Sequence, residues 1–175
     1  MSLRKIVRYP APVLREKCQE VKSVTKEVQT LLSDMAETMY HAPGIGLAAP
    51  QIGVNARVIV LDVGNYEGGE KSSQKGKLYK LVNPEIVKSE GSALGEEGCL
   101  SIPGVSEKVK RATHVTVAAL NEKGEKIEIE AEGILAVCLQ HEIDHLNGVL
   151  FIDYLSKLKK KMISSKLKNL EKNYV

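Results

Sequence analysis

The sequence has few aromatic residues and no long apolar run. There is no tryptophan, and one phenylalanine and six tyrosines make up the whole aromatic content. The core must therefore be aliphatic, and an apolar fraction of 43% in 175 residues supplies enough such side chains for a globular protein. No stretch approaches the roughly 18 apolar residues that a membrane-spanning helix needs, and the first residues contain no apolar secretion signal. We therefore expect a cytoplasmic protein with no membrane partner.

Cysteine is also scarce, which excludes a disulfide-bonded scaffold. The three cysteines, Cys18, Cys99 and Cys138, cannot all pair with one another, and the cytosol would keep them reduced. A cytosolic cysteine that accompanies histidines is more often a metal ligand or a nucleophile than half of a disulfide. The cysteines are therefore candidate functional residues.

Charge is unevenly distributed along the chain. The net charge is +3, but residues 155–175 contain seven lysines and a single acid, Glu171, so this tail has a net charge of +6 and the remainder −3. Leu155, Leu158, Met162, Ile163, Leu167 and Leu170 recur in the tail at helical spacing. The pattern predicts a basic amphipathic C-terminal helix.

Two further segments are predicted to be helical. Residues 28–39 have apolar side chains at helical spacing, with Thr25 as a plausible N-cap and Pro43-Gly44 as the stop. Residues 134–146 are apolar on most sides until Gln140, which favours a central buried helix that ends at Asn147-Gly148.

The remaining apolar segments predict strands around this central helix. They are residues 57–61, residues 79–87 with an interruption at Asn83-Pro84, and a hairpin formed by 115–117 and 126–130. Residues 64–77 are rich in glycine, serine and charge, which is typical of an exposed loop. No repeat or domain boundary is evident, so the sequence predicts one α+β domain over residues 1–175, with mixed or antiparallel strands.

The strongest local signal is the sequence His141-Glu142-Ile143-Asp144-His145 inside the central helix. Positions i and i+4 share one helical face, so His141 and His145 can reach the same metal ion. The adjacent Glu142 can reach a water on that metal and act as a general base. The alternative is a polar helix end with two solvated histidines.

A catalytic metal site needs a third protein ligand and an open position. The candidates are the carboxylates together with Cys18, Cys99, Cys138, His41 and His114. Cys138 precedes His141 by three residues, so spacing does not exclude it, although its apolar neighbours suggest a core or pocket-lining thiol. Cys18 lies in a polar segment and is expected to be structural or exposed. Cys99 lies among glycines and a proline, which suggest an extended and closely approached backbone, so it is the best of these candidates, although nothing in the spacing alone proves it.

Three segments resemble the signature motifs of peptide deformylases, in the order of that family. They are Gly-Ile-Gly-Leu-Ala-Ala-Pro-Gln at 44–51, Glu-Gly-Cys-Leu-Ser at 97–101 and Gln-His-Glu-Ile-Asp-His at 140–145. Together they are highly specific, and the similarity extends from the N-terminal segment 6–15 to the final helix. The resemblance implies a metal-dependent hydrolase that removes the N-formyl group from the formyl-methionine of nascent bacterial polypeptides and releases formate.

The resemblance also implies the roles of site residues. Cys99, His141 and His145 would bind the metal, and Glu142 would be the catalytic acid and base. The Gln51 side chain and the Leu100 N–H would hold the oxyanion. The physiological ion would be Fe(II), one per chain, with zinc, nickel or cobalt able to substitute.

The substrate site follows from the same resemblance. The peptide would pair as an added strand with Ile45 and Gly98, next to a backbone that the absence of a side chain at Gly46 leaves accessible. The methionine side chain would enter an apolar pocket lined by Ile45, Leu100, Val137, Cys138 and His141. From the residues alone, core packing explains Val137 and Cys138 better.

The chain departs from the family pattern in two places. Residues 64–77 form a long polar segment, and Ser106 stands where some bacterial members carry an arginine that faces the downstream residues of the peptide. Arg111 and Asp144 match family positions, and they could form an ion pair behind the metal ligands or remain two separate surface charges.

Two other functions compete with the deformylase. A general metallopeptidase could use the same HExxH sequence, although the cysteine-containing second motif argues against it. A basic ribosome- or RNA-binding protein with a structural metal would account for the lysine-rich tail, but a structural site usually has four protein ligands. In the deformylase interpretation the same tail would contact the ribosome, and no direct role on DNA is expected.

Overall fold

The computed structural model describes residues 2–64 and 76–174, in which seven β-strands follow the first of three α-helices and precede the other two. Most of the predicted 64–77 loop, residues 65–75, lies outside the described residues. The strands are β1 (Gly46–Ala48), β2 (Val58–Leu61), β3 (Tyr79–Glu90), β4 (Ala93–Cys99), β5 (Ile102–Arg111), β6 (His114–Leu120) and β7 (Lys126–Glu132). The helices are α1 (Lys26–His41), α2 (Gly133–Leu146) and α3 (Lys157–Lys172).

The strands form two antiparallel sheets. Five of them pair in the order β1-β2-β3-β6-β7, and β4 and β5 form a separate two-stranded hairpin. At β6 only one face of the large sheet is buried, since Val115, Val117 and Ala119 are buried while the intervening residues are not. The predicted single α+β domain is confirmed, and its strands are antiparallel throughout the described part of the chain.

The predicted interruption at Asn83-Pro84 is a local irregularity within one longer strand. The register with β6 shifts between Val82 and Glu85, and Asn83 has a positive φ of 50°. The Asn83 side chain accepts from the Val21 N–H and donates to the Val21 carbonyl, both at 2.8 Å. These bonds hold the bend in place, and β3 continues three residues beyond the predicted end.

Helix α2 lies at the centre of the fold, as predicted. Its apolar side chains, including Ala136, Leu139 and Leu146, pack against the buried face of the five-stranded sheet. Helix α1 covers the opposite face through Leu32, Met35 and Met39. The predicted N-cap of α1 is confirmed, because the Thr25 side chain accepts from the Val28 N–H.

The β4–β5 hairpin covers the other side of α2. A second core, formed in part by Ile102, Val105, Phe151 and Ile163, joins the hairpin to α3 and to the 3-10 turn at Phe151–Tyr154. The Gln140 side chain binds both the N–H and the carbonyl of Ala112, at the junction of β5 and β6. Helix α2 is therefore fixed between the large sheet and the hairpin.

The predicted apolar stripe of the C-terminal helix needs a correction. Ile163 is buried and Leu167 and Leu170 are partly buried, but Leu158 and Met162 are 69% and 67% exposed. Positions 163, 167 and 170 share one helical face, whereas position 162 is rotated about 100° from Ile163. Only the narrower stripe therefore packs on the body of the protein.

None of the helices in residues 2–64 and 76–174 is both long enough and apolar enough to cross a membrane.

Candidate active site

Cys99, His141 and His145 come together where β4 ends beside α2. One potential ligand atom from each of the three lies within 4.8 Å of the other two. The Cys99 Sγ is 3.4 Å from His145 Nε2. The two histidines are one turn apart on α2, so the helix directs both rings to the same place, and the hairpin brings the thiol to them.

The other cysteines and histidines that the sequence offered as ligands do not join this cluster. The Cys138 thiol is buried and donates to the Ile45 carbonyl, at 3.6 Å. Cys18 is buried in the core with residues of the large sheet, which agrees with a structural cysteine and not with an exposed one. His41 and His114 are exposed, and His114 pairs with Glu132. Within the described residues, only Cys99 completes a cluster with the two α2 histidines.

The residues present fit a divalent metal. A thiolate and two imidazoles form the donor set that zinc and iron accept, and the cluster leaves a coordination position open. Although burial lowers it, hydrogen bonds to Cys99 and Glu97 hold the pKa of His141 well above its ordinary value, so the surroundings favour positive charge on this ring. A metal ion bound at Nε2 would take the place of the proton there. Burial and the His141 charge lower the pKa of His145, which keeps its ring neutral as a ligand requires.

Glu142 is buried next to this cluster. Burial raises the pKa of its carboxyl to about 7, against the opposing influence of the His141 charge. Its Oε2 is one of the buried side-chain atoms without a hydrogen-bond partner in the described part of the chain. A carboxyl group with such a pKa and a free oxygen can exchange a proton with a substrate at neutral pH.

The side-chain amide of Gln51 also contacts Cys99. Its Oε1 accepts from the Ala48 N–H at 2.9 Å, which fixes the orientation of the amide. Its Nε2 then faces the site and donates to Ser101 Oγ at 3.1 Å and to Cys99 Sγ at 3.5 Å. A buried N–H donor is therefore held at the edge of the metal cluster.

A cavity of about 430 Å³ opens over these groups. Its lining includes every residue that the sequence analysis assigned to the substrate: Ile45, Gly46, Gly98, Leu100, Val137, Cys138 and His141. It also includes Ile102, Val105 and Ile134, which the sequence analysis missed because they come from β5 and the first turn of α2. Glu142, Gln51 and Cys99 border the same cavity.

Arg111 and Asp144, for which the sequence left both an ion pair and two separate surface charges open, form an ion pair of 2.6 Å that belongs to a larger network. Arg111 also donates two hydrogen bonds of 2.9 Å to Glu97. Burial alone would raise the pKa of Glu97, but hydrogen bonds from His141 and Arg111 hold this pKa below its usual range. Glu97 is thus an ionised acceptor, and His141 Nδ1, at 2.9 Å, must donate to it.

Glu97 is a residue of the site that the sequence patterns did not identify. Its hydrogen bond leaves His141 Nε2 as the ring atom that is free to bind a metal. One signal was available, because Glu97 precedes Cys99 by two residues, and residues two apart on a strand face the same side. The charge-rich composition of β4 hid that strand.

A Cys/His/His cluster, a buried glutamate beside it and an open cavity above it are typical of metal-dependent hydrolases. A model of the polypeptide deformylase family matches residues 3–161. Peptide deformylase 2 of Nitrosomonas europaea is 51% identical over 168 residues, which cover 96% of this chain and 86% of that protein. The peptide deformylase of Alkalilimnicola ehrlichii is 51% identical over 97% of this chain and 92% of that protein.

Solved structures agree with these sequence relatives. The crystal structure of a peptide deformylase from Legionella pneumophila superimposes with a TM-score of 0.86 at 48% identity, covering 98% of this chain and 96% of that one. The enzyme from Ehrlichia chaffeensis in complex with actinonin gives 0.88 at 40% identity, over 97% of this chain and 98% of that one. The chain belongs to the polypeptide deformylase family.

The packing of Gly46 generates a prediction about Glu142. A Cβ at position 46 would lie 2.6 Å from Glu142 Oε1 and 2.9 Å from Cys138 Sγ. We expect Gly46→Ala to displace the carboxylate and to lower kcat for hydrolysis about 100-fold, as a misplacement of about 1 Å can do. Bound metal should be unchanged, because the cluster of Cys99, His141 and His145 is not touched. Steady-state kinetics and metal analysis measure the two effects.

Gly95→Ala is the matched control, since a Cβ at position 95 would meet no atom within 4 Å. It should leave both quantities at their wild-type values. A Gly46→Ala enzyme with a kcat within tenfold of wild type would contradict the inference.

Proposed function

We propose that the protein removes the formyl group from N-formylmethionyl peptides and releases formate. The observation that carries the proposal is the position of the buried Glu142 carboxyl, beside the Cys99, His141 and His145 cluster at the base of a cavity. The family supports the same activity, because its relatives are named peptide deformylases.

The reaction can be divided among residues of this chain. A divalent metal held by Cys99, His141 and His145 would supply Lewis acidity and a water activated for attack near neutral pH. Glu142 accepts a proton from the attacking water while the water oxygen bonds to the formyl carbon. Glu142 then gives this proton to the amide nitrogen, and the carbon–nitrogen bond breaks. The products are a free α-amine and formic acid, which loses its proton to become formate.

Hydrogen-bond donors are needed to stabilise the negative charge that develops on the formyl oxygen. Gln51 Nε2 is held at the edge of the cluster, and one of its hydrogens points to Cys99 Sγ rather than to an oxygen. We propose that this hydrogen and the Leu100 N–H stabilise the oxyanion. One such donor can be worth about 3 kcal/mol in the transition state.

The substrate would lie between two free strand edges. β1 is at the edge of the five-stranded sheet, and β4 pairs only with β5 in the described sheets. Ile45, Gly46 and Gly98 border the cavity from these two edges, so an extended peptide can pair with the backbone on both sides. The methionine side chain would occupy the apolar part of the cavity, against Leu100, Val137 and Cys138.

Formate release from a formyl-Met peptide is the direct test of this function. The wild-type protein should release formate and a free amine, and it should leave an unformylated peptide of the same sequence intact. Cleavage of internal peptide bonds would instead support a metallopeptidase. Absence of any hydrolysis together with RNA binding would support the ribosome- or RNA-binding alternative.

The ligand assignment generates a second prediction. Cys99→Ala should lose both metal and activity, because two imidazoles alone bind a divalent ion weakly. Cys18→Ala is the control, since Cys18 is also buried but lies in the core, away from the cluster. Metal analysis after gel filtration measures the occupancy. A full equivalent of metal in Cys99→Ala would rule out the assignment.

The role of Glu142 generates a third prediction. Glu142→Gln should retain its metal, because the side chain is not part of the ligand cluster. Its kcat should fall by about 10²–10⁴-fold, the usual contribution of a general acid–base residue. Measured occupancy and single-turnover rates separate the two effects. If turnover remained within tenfold of wild type, another group would have to move the proton.

Fe(II) is our proposal for the physiological metal, with one ion per chain. A thiolate at Cys99 beside a redox-active ion is open to oxidation, which gives a fourth prediction. Iron-loaded enzyme prepared without oxygen should be the most active form and should lose activity in air, whereas the nickel form should keep it. Activity measured over time in air distinguishes them. Air-stable iron enzyme, equal in activity to the nickel form, would contradict the proposal.

We also propose that the whole chain, residues 1–175, acts as one deformylase domain in the bacterial cytoplasm, and that α3 docks on the ribosome. Lys160, Lys161 and Lys168 are exposed on α3, whereas Lys159 contacts Glu107 and Lys166 contacts the Gly104 carbonyl. The first three are therefore free to meet phosphates while the other two help to seat the helix on β5.

The fifth prediction tests this docking. Changing Lys160, Lys161 and Lys168 to Gln should weaken ribosome binding and make its salt dependence shallower, because fewer counterions are released. Hydrolysis of a free formyl-Met peptide should not change. Changing the exposed Lys22, Lys123 and Lys126 to Gln removes the same charge elsewhere and should leave binding nearly intact. If both triple variants gave the same ribosome binding at every salt concentration, the α3 lysines would have no specific role in docking and would only solvate the helix.

A further inference from the structure

Tyr154 occupies the turn between α2 and α3 and contacts two charged groups at once. Its hydroxyl donates to Asp144 Oδ2 at 2.8 Å. Its ring lies against the Arg111 guanidinium, with 4.8 Å between the carbon of that group and the ring centroid. The same side chain therefore holds an acid and a base that are already paired with each other.

These contacts continue to the metal cluster through an unbroken series of bonds. Arg111 donates one hydrogen bond to Asp144 and two to Glu97. Glu97 in turn accepts from His141 Nδ1. The planar guanidinium has a fixed fork geometry, so any tilt that changes its bonds to Asp144 also changes its bonds to Glu97. The orientation of the His141 ring depends on that of Glu97.

We propose that Tyr154 is a positioning residue for the metal centre, which fixes the plane of the Arg111 guanidinium and, through Glu97, the His141 ring. The inference rests on the proposed metal site at Cys99, His141 and His145. Asp144 and the ring of Tyr154 hold the outer side of the guanidinium, and Glu97 holds the inner side. Without Tyr154 the outer side would be held by Asp144 alone, whose side chain is 20% exposed and can turn toward water.

Because Tyr154 is exposed, its effect on the metal centre can be distinguished from an effect on the stability of the fold. The residue is 51% exposed, whereas the Arg111 and Glu97 side chains are each 5% exposed. Removing the hydroxyl leaves no cavity in the core. Its effect on folding should be small, and its effect on the metal centre should exceed what the loss of stability explains.

Tyr154→Phe keeps the ring on Arg111 and removes only the bond to Asp144. We expect it to weaken binding of Co(II) about tenfold, which is the lower limit of the usual effect of removing a residue that orients a metal ligand. It should also shift the visible absorption of the bound cobalt. Chelator competition and absorption spectroscopy measure the two effects. Tyr154→Leu, which also removes the ring, should weaken binding further. The unfolding midpoint of each metal-free variant should stay close to that of wild type.

Tyr9→Phe is the matched control. It removes a comparable hydrogen bond, from Tyr9 to Glu171 at 3.1 Å, which also ties α3 to the body but does not lead to the metal cluster. Its cobalt affinity and spectrum should equal those of wild type. The same losses in Tyr9→Phe and Tyr154→Phe would show that α3 docking, rather than the Tyr154 contact, is responsible, and would overturn the inference.

A double-mutant cycle with Asp144→Ala tests the route of the effect. If Tyr154 acts through Asp144, then Tyr154→Phe should cause no further loss of cobalt affinity in the Asp144→Ala background. A loss that persists in full in that background, or wild-type affinity and spectrum in Tyr154→Phe, would overturn the proposal. A wild-type protein that binds no cobalt at this cluster would instead overturn the proposed metal site itself.

Discussion

The burial of polar side chains along one helix is the constraint on which the rest of this structure depends. Gln140, His141, Glu142 and His145 all lie inside the fold on α2, where an unpaired polar group or charge is costly. The β4–β5 hairpin supplies the partners, because Glu97 binds His141 and is itself neutralised by Arg111. The hairpin thus offsets the cost of burying the polar face of α2, while the large sheet packs against the apolar face of the helix.

Two polar atoms of the site have no such hydrogen-bond partner among the described residues. Three buried side-chain atoms have no hydrogen-bond partner in the described part of the chain, and two of them, Glu142 Oε2 and His145 Nδ1, belong to the site. Buried polar atoms usually have partners, and exceptions concentrate where function requires an available group. Glu142 needs a free oxygen to take a proton from water.

The sequence predicted the helical half of the site better than the half contributed by strands. His141, Glu142 and His145 follow from helical spacing, since a single helix brings them together whatever surrounds it. Cys99 did not follow from spacing, because only the tertiary position of a charge-rich hairpin brings its thiol to α2. The family motifs supplied the assignment that local periodicity could not. Similarly, Leu158 and Met162 fit a helical stripe but lie outside the face that packs, which the position of α3 on β5 decides.

The three motifs are joined by contacts, which explains why they form one recognisable set. Gly46 of the first motif leaves room for Glu142 of the third, since a Cβ would lie 2.6 Å from its carboxylate. In the same way Gly44 leaves room for Leu100 of the second motif, and Gln51 donates to Cys99 and Ser101. Glu97 then joins the second motif to His141 in the third. A change in any one motif would disturb atoms in the others, so their joint presence specifies a single packed arrangement rather than three independent features.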